Sequence, residues 1–412
     1  MNTHLVRGAC PTLAAPMATG DGLLVRLGLA EGGMSAEALT TLCRLAMRHG
    51  NGIVEVTARG NLQIRGLTSS TAPHLATQVE ALGLDLAAGL PVETSPLGGL
   101  DPGEIADPRP LGRALRMAVA KAGLADSLGP KVSVVVDGGG AISLARVPAD
   151  IRLTALRIDG VVGWQLALDG KVDERPLFVL KEANAVPAVL AVLAMIAAIG
   201  RKARARDLAR EKLDAIAPAA TSGACPSPVA SIDHAGHCPE EWPSRLRLMD
   251  DRLAMFVGLP FGSIQAEKLV AFLDAVDPEE IRLAPQRSLI LICRNEEEAR
   301  RTAECAPEFG LIVDASDPRR TIFACPGAPA CASARITARE IGQRLAGAIA
   351  PGLAVHVSGC AKGCAHSAPT DLVFVGTDAG IGIIRNGRAG DAPFAHVADA
   401  EAALALLQEQ TS

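Results

Sequence analysis

Tyrosine is absent from this chain, and aromatic residues together make up only 2% of it. Single-stranded nucleic acids are held on aromatic stacking platforms, so that class of partner is excluded. The formal net charge is −5, which offers no overall field to a polyanionic backbone. Long apolar runs are also missing. Ala185 to Ile199 is shorter than the ~20 residues a spanning helix needs. It contains Pro187 and is followed closely by Arg201, Lys202, Arg204 and Arg206. It reads as a buried helix with a basic, solvated continuation, and no membrane partner is expected. Met1 to Cys10 lacks the apolar segment of a secretory leader, so a cytoplasmic location is expected. Ten cysteines in 412 residues do not make a dense disulfide framework. Without a secretory leader, paired cysteines read as metal ligands.

What is present is a globular composition, 49% hydrophobic and 21% charged. A chain this long holds two to four packing units. An internal repeat organises them. Leu23–Leu27 and Leu253–Val257 read as equivalent strands, each followed by a glycine-containing turn and a serine, Ser35 or Ser263, at a helix N-cap. The helices that follow place Leu39, Leu42, Cys43 and Ala46, or Leu269, Phe272, Leu273 and Val276, on one face. Strands Ile53–Thr57 and Ile281–Ala284 come next. Turns bearing Arg59 or Arg287 then lead into Leu62–Arg65 and Leu289–Cys293. Further on, Lys131–Val136 with Ala141–Leu144, and Asp371–Val375 with Ile381–Ile384, both read as hairpins. Ser95-Pro96 falls where Cys325-Pro326 falls in the second half.

The expected fold is therefore α+β and pseudo-twofold. Its units are expected at residues 1–88 (half domain 1), 89–217 (a mixed α/β unit without a metal group), 244–318 (half domain 2) and 319–412 (a mixed α/β unit carrying the metal group). The Pro-, Ala-, Ser- and Gly-rich stretch 218–243 reads as the connection between halves.

Cys325-x5-Cys331 and Cys360-x3-Cys364 form the sharpest motif. Four thiolates are what a [4Fe–4S] cubane requires. Gly327 and Gly363 let the backbone turn tightly around it. Cys331 is expected near the start of a helix spanning Ser333 to Ile349, whose dipole favours a thiolate. Structural zinc competes, but zinc sites use tighter C-x2–4-C pairs. Two buried structural pairs compete less well. Cys43 lies on an apolar helix face and reads as core. Cys225, His234, His237 and Cys238 lie together in the connection, with a spacing that matches no known metal pattern.

On these residues, and on Thr57-Ala-Arg-Gly-Asn-Leu-Gln-Ile-Arg-Gly66, the chain resembles the nitrite/sulfite reductase superfamily over nearly its whole length. Ser95-Pro-Leu-Gly-Gly-Leu-Asp101 and Ser358-Gly-Cys-Ala-Lys-Gly-Cys-Ala-His366 carry a closer resemblance to its oxygen-dependent, cobalamin-pathway branch. The resemblance implies a duplicated fold of two ferredoxin-like half domains and two mixed α/β cluster-type domains. It also implies conversion of precorrin-3A to precorrin-3B. One oxygen atom from O2 hydroxylates the macrocycle and a lactone closes. The cofactors it implies are the [4Fe–4S] cluster and a non-haem iron in place of siroheme, with NADH and O2 as co-substrates and an electron-donor reductase as partner.

Departures from the superfamily pattern bear on the chemistry. Siroheme reductases grip a small anion with basic residues, and here Gly28, Ser133 and Gly89 stand at those positions. The basic residues that remain suit a carboxylate-rich tetrapyrrole, because arginine grips carboxylates with a planar fork. Arg26, Arg59, Arg65, Lys131 and Lys362 are the candidate substrate contacts, with Asn61 and Gln63 adding amide hydrogen bonds. His366 is the candidate catalytic residue and iron ligand, and His356 reads as packed. No G-x-G-x-x-G follows a strand and no P-loop occurs, so no nucleotide domain is evident. Two other readings stand beside this one. A siroheme-dependent sulfite or nitrite reductase would carry extractable siroheme. An electron carrier would not need a duplicated scaffold with a basic cleft.

Overall fold

The computed structural model describes residues 11–168, 176–209, 243–350 and 352–409. The connection expected at 218–243, with Cys225, His234, His237 and Cys238, lies outside them. The described residues form four sheets. The first half domain contributes Met17–Thr19, Gly22–Leu27, Ile53–Val56 and Leu62–Leu67. Its fifth strand comes from the other half of the chain: Ser263–Gln265 pairs antiparallel with Ile53–Val56. The second half domain has the strands Arg245–Arg247, Leu253–Gly258, Glu280–Ala284 and Ser288–Cys293.

The helices Ala36–His49 and Ala266–Val276 lie in one core that both half-domain sheets share. Ser35 caps the first, its hydroxyl accepting from the Ala38 amide at 3.1 Å. The apolar positions expected to face inward are all buried. Each such Leu or Phe contributes about 1.5–3 kcal/mol of burial. The helix stripe and the alternating strand positions therefore join the two repeats into one packing unit.

Each half domain is paired with a five-stranded mixed sheet. In one, Val92–Thr94, Val134–Asp137 and Ile151–Ile158 run parallel, and Val161–Leu168 and Pro176–Leu180 close the sheet antiparallel. In the other, Ile322–Ala324, Val355–Ser358 and Thr370–Thr377 run parallel, followed by Gly380–Gly387 and Ala395–Val397. The order of pairing is the same in both. The helix Glu182–Ile199 is long and apolar enough to cross a membrane. Here its residues Ala185, Ala188, Val189, Val192, Leu193 and Ile196 are buried in the core of the first mixed sheet.

Three local expectations are corrected. Ser263 does not cap a helix. It begins the crossing strand, and Gln265 is the N-cap. Lys131–Val136 and Ala141–Leu144 do not form a hairpin. The Asp137 carboxylate takes the Gly139 and Leu144 amides at 3.0 and 2.9 Å, and Asp101 takes the Ala141 amide at 2.5 Å, so the glycine-rich segment is an open loop. The true hairpin of that sheet is Ile151–Ile158 with Val161–Leu168, and it matches Thr370–Thr377 with Gly380–Gly387. Finally, the helix after Cys331 starts only at Ala338, so Cys331 does not stand in its first turn.

Candidate functional site

Strand alternation gives each half-domain sheet an inner and an outer face. The inner faces make the shared core. The outer faces differ sharply. In the first half domain the outward positions are Arg26, Glu55, Gln63 and Arg65. Their counterparts in the second are Phe256, Arg282, Ile290 and Ile292. The apolar face packs on Leu97 of the cysteine-free loop, and Arg282 donates to the Pro96 carbonyl at 2.8 Å. The polar face meets the cysteine loops of the other mixed unit.

Several ties hold that meeting. Arg65 is buried, with its guanidinium bonded to both oxygens of Asp21 at 2.8 and 3.0 Å. It also lies 3.5 Å from Glu55 and donates to the Ala330 carbonyl at 3.1 Å, one residue before Cys331. Burial alone would raise the Asp21 carboxyl, but its bonds to Arg65 and Thr19 hold it below the usual range. Glu55 accepts from Arg339, at the start of the helix after the first cysteine pair, and from Gln63 at 2.8 Å. Gln63 in turn accepts from Arg26 at 3.0 and 2.7 Å. Gly20 touches the same loop. A Cβ there would press into the Ala332 amide nitrogen and stand 2.8 Å from the Cys331 carbonyl carbon.

The cysteine segments form two adjoining loops at the ends of parallel strands. Cys325 follows Ile322–Ala324, and Cys360 follows Val355–Ser358. The Gly359 amide donates to Cys325 Sγ at 3.1 Å, and Arg335 N to Gly359 O at 2.7 Å. Gly327 and Gly363 take positive φ values of 69° and 61°, as expected of glycines in tight turns. A Cβ on Gly359 would lie 2.6 Å from Ala334 Cβ and 3.4 Å from Cys325 Sγ. Cys325 is buried, Cys331 and Cys360 are half-buried, and Cys364 is exposed.

This donor set fits a cubane: soft sulfur, a backbone N–H aimed at a thiolate, and glycines that clear the space. Among the described residues no three His, Cys, Asp or Glu side chains crowd together as they would around one ion. A cubane takes one cysteine per iron, so its ligands stand farther apart than the donors of a zinc site. The cysteine-free unit keeps the same scaffold. Ile105 N donates to Gly138 O at 2.9 Å, the counterpart of the Arg335–Gly359 bond. Ser95 stands for Cys325 and Asp101 for Cys331. The Asp101 carboxylate occupies the gap between the loops, where a Cβ on Gly140 would meet its Cγ at 3.0 Å.

The remaining candidates are distributed as follows. Arg59 crosses to the cysteine-free unit, pairing with Glu93 at 2.8 Å and donating to the Pro148 carbonyl. Burial raises the Glu93 carboxyl, and Arg59 opposes that rise. Arg59 and Arg65 were expected to offer their guanidinium groups to a substrate, and here both are paired within the protein. Asn61 lies against Gly28, where a Cβ would overlap its Oδ1, so a side chain at position 28 would have to turn the Asn61 amide aside. Gly89 has φ 74° and open space around it, whereas Ser133 is buried. Lys131 is exposed, and no hydrogen bond links it to the Arg26–Glu55–Arg65 group among the described residues. Lys362 is exposed and donates to Ser333 Oγ at 2.6 Å.

His366 stacks on Phe323 with ring centres 4.2 Å apart and lies edge-on to His356 at 6.2 Å. His356 is fully buried, and burial, His366 and Arg287 press its pKa down to about 4. No carboxylate joins this pair to make a two-histidine, one-carboxylate iron set among the described residues. The residues present therefore do not fit a facial-triad iron, and no step is assigned to one.

Three residues escaped the sequence reading: Asp21, Glu55 and Arg339. Glu55 left a signal, being the one acid in the apolar strand Ile53–Val56. Arg287 sits at φ 64° in the tip between Glu280–Ala284 and Ser288–Cys293. Next to it the Gln286 amide donates to Ala58 O at 3.0 Å, so the tips of the two repeats meet. Burial and nearby Arg339 press the Arg287 guanidinium down to about 10.

The nitrite/sulfite reductase ferredoxin-like half domain matches residues 15–82. A precorrin-3B synthase of Sinorhizobium sp is 38% identical over 399 residues, spanning 95% of this chain and 85% of that protein. The chain belongs to the precorrin-3B synthase family. It is an enzyme of that type. A chloroplastic ferredoxin–nitrite reductase of Zea mays is 25% identical, over 86% of this chain and 69% of that one. Among solved structures, the NirA protein of Mycobacterium tuberculosis superposes with a TM-score of 0.70 at 19% identity, covering 91% of this chain and 76% of that one. That likeness extends to the fold, and this precorrin-3B synthase family member has the duplicated nitrite/sulfite reductase-like α+β architecture.

Proposed function

We propose that this chain converts precorrin-3A to precorrin-3B in an oxygen-dependent reaction of cobalamin biosynthesis. In this reading Cys325, Cys331, Cys360 and Cys364 hold a [4Fe–4S] cluster, and no siroheme is bound. The observation that carries it is the asymmetry of the duplication: the polar outer face, with Arg26, Glu55, Gln63 and Arg65, meets the cysteine loops. The apolar face is sealed against the cysteine-free loop.

When bound, the cluster supplies single electrons. The chain's own residues bind and orient the substrate. Arg26, oriented by two bonds to Gln63, and Asn61 on the neighbouring strand end contact ring carboxylates. Lys131 and Lys362 add flexible charge at the surface. Arg59 and Arg65 act by fixing the half domain to its neighbours. His366 closes the space behind Cys364 by stacking on Phe323. Gly28 leaves no charge at a small-anion position, which favours a large carboxylate-bearing substrate over sulfite or nitrite. A partner reductase delivers the electrons of NADH.

The test is anaerobic purification with iron, sulfide and pigment analysis, followed by turnover of precorrin-3A with reductant and labelled O2. Cluster absorption without a siroheme band, and one labelled oxygen in the product, are expected. Stoichiometric siroheme with sulfite or nitrite reduction would overturn the reading, as would product formation under strict anaerobiosis.

A further inference from the structure

Arg287 is a partly buried guanidinium that touches both cysteine segments. Its Nη2 donates to the Ala365 carbonyl at 3.1 Å, next to Cys364. Its guanidinium carbon lies 5.4 Å from the centre of the Phe323 ring, two residues before Cys325. Its stem is gripped from behind, since a Cβ on Gly262 would meet its Cδ at 2.9 Å. Among the described residues no carboxylate lies within ion-pairing distance of it. Glu55, whose charge reaches it, is already engaged by Arg65, Arg339 and Gln63. A cation held out of water without an opposite charge costs several kcal/mol. The cysteine side of this interior thus carries Arg65, Arg339 and Arg287 against Asp21 and Glu55, an excess of positive charge.

We propose that Arg287 is the counter-ion of the cluster and sets its reduction potential. The inference rests on the cysteine assignment above. Four thiolates make a cubane net negative, and one-electron reduction makes it more negative by one unit, with no bond formed or broken. A fixed cation beside it favours the reduced form and raises the potential. The geometry distinguishes this role from simple bracing. The equivalent Arg59 has a carboxylate, Glu93, where Arg287 has the face of Phe323. The cysteine-free half supplies its own anion, whereas the cysteine half puts an apolar ring there and leaves the balancing charge to the cluster.

The experiment is a redox titration of purified holoprotein, reduced stepwise with dithionite and read by the paramagnetic resonance of the reduced cluster. In R287M, which keeps the stem and removes the charge, the ratio of reduced to oxidised cluster at a given potential should fall at least tenfold. That is about 59 mV for a one-electron couple. R287K, which keeps the charge, should stay within about threefold of the native ratio. A fully loaded R287M with the native ratio would overturn the inference. If neither R287M nor R287Q keeps iron and sulfide, R287K decides: native loading there supports the need for charge, and loss there refutes it. Native protein without iron and sulfide would refute the cysteine assignment instead, which keeps the two failures separate.

Discussion

Gly20 is the most exposed point of the reasoning, because a single methyl group tests whether the half domain closes on the cysteine loop. Its φ lies outside the left-handed region, so alanine meets no strain of that kind there. In the unfolded chain the change would favour the native state by about 0.4–1 kcal/mol. Against that, the added Cβ meets backbone: the Ala332 nitrogen, the Cys331 carbonyl carbon at 2.8 Å and Cys331 Cα at 2.9 Å. No side chain there can swing away. Ordinary contact requires the loop to retreat by about 1 Å, while metal–sulfur bonds tolerate only about 0.2 Å. Overpacking of this kind costs about 1–3 kcal/mol. At 1.4 kcal/mol per tenfold, the closed state weakens by roughly fivefold to a hundredfold. In G20A, iron and sulfide content should fall, and a chelator should strip the remaining iron faster by a similar factor. Gly347→Ala is the control, since its φ is not positive and the nearest atom to its Cβ position is the Arg344 carbonyl oxygen at 3.9 Å. Native loading and native stripping rates in G20A would show that the half domain does not clamp the loop.

Replacing any one of Cys325, Cys331, Cys360 or Cys364 by Ser should lower bound iron and sulfide and abolish turnover; a full cubane in all four variants would remove the assignment. Cys43, whose thiol burial pushes up to about 12, is a core residue, and Cys43→Ser should leave iron content unchanged. Glu55→Gln leaves the Arg65 and Arg339 guanidiniums without their shared anion; breaking a buried pair costs about 3–5 kcal/mol, so chemical denaturation should shift markedly while Glu80→Gln on the surface does not. Glu104 tests the cysteine-free loop. Burial and the neighbouring Asp107 and Asp101 push its carboxyl up to about 7, against a hydrogen bond from Gly99. A carboxyl raised on folding stabilises fully below its unfolded pKa, and that contribution is lost as pH rises through the folded value. Glu104→Gln should therefore raise the melting temperature at pH 8 and change little at pH 4.5; equal shifts at both would refute the titration.

The sequence disclosed what depends on local periodicity and on rare residue types. The buried stripes of both half-domain helices, the Ser35 cap, the hairpin after the last cysteine and the four-cysteine motif fall in this class. What it hid depends on pairs distant in the chain. Arg59 and Arg65 looked like free charges because Glu93 and Asp21 lie 34 and 44 residues away. The loop at Asp137 looked like a hairpin turn because its glycines are visible, whereas the carboxylates that hold it open are not distinctive. Ser263 looked like a cap because the strand it starts has its partner in the other half. One signal was available and unused: Ser288–Cys293 is apolar or small at every position, while Leu62–Leu67 alternates. That contrast announces one sheet covered on both faces and another whose outer face waits for something polar.

The crossing strand Ser263–Gln265 has a consequence for the order of events on the ribosome. The first sheet cannot be completed until those residues have left the exit tunnel. Arg65 waits for a carbonyl 265 residues downstream, and Glu55 for an arginine 284 residues downstream. Such long-range closure is slow and leaves strand edges exposed meanwhile. The first sheet therefore stays open until the second half has been made, and the polar face can close on the cysteine loops only after that.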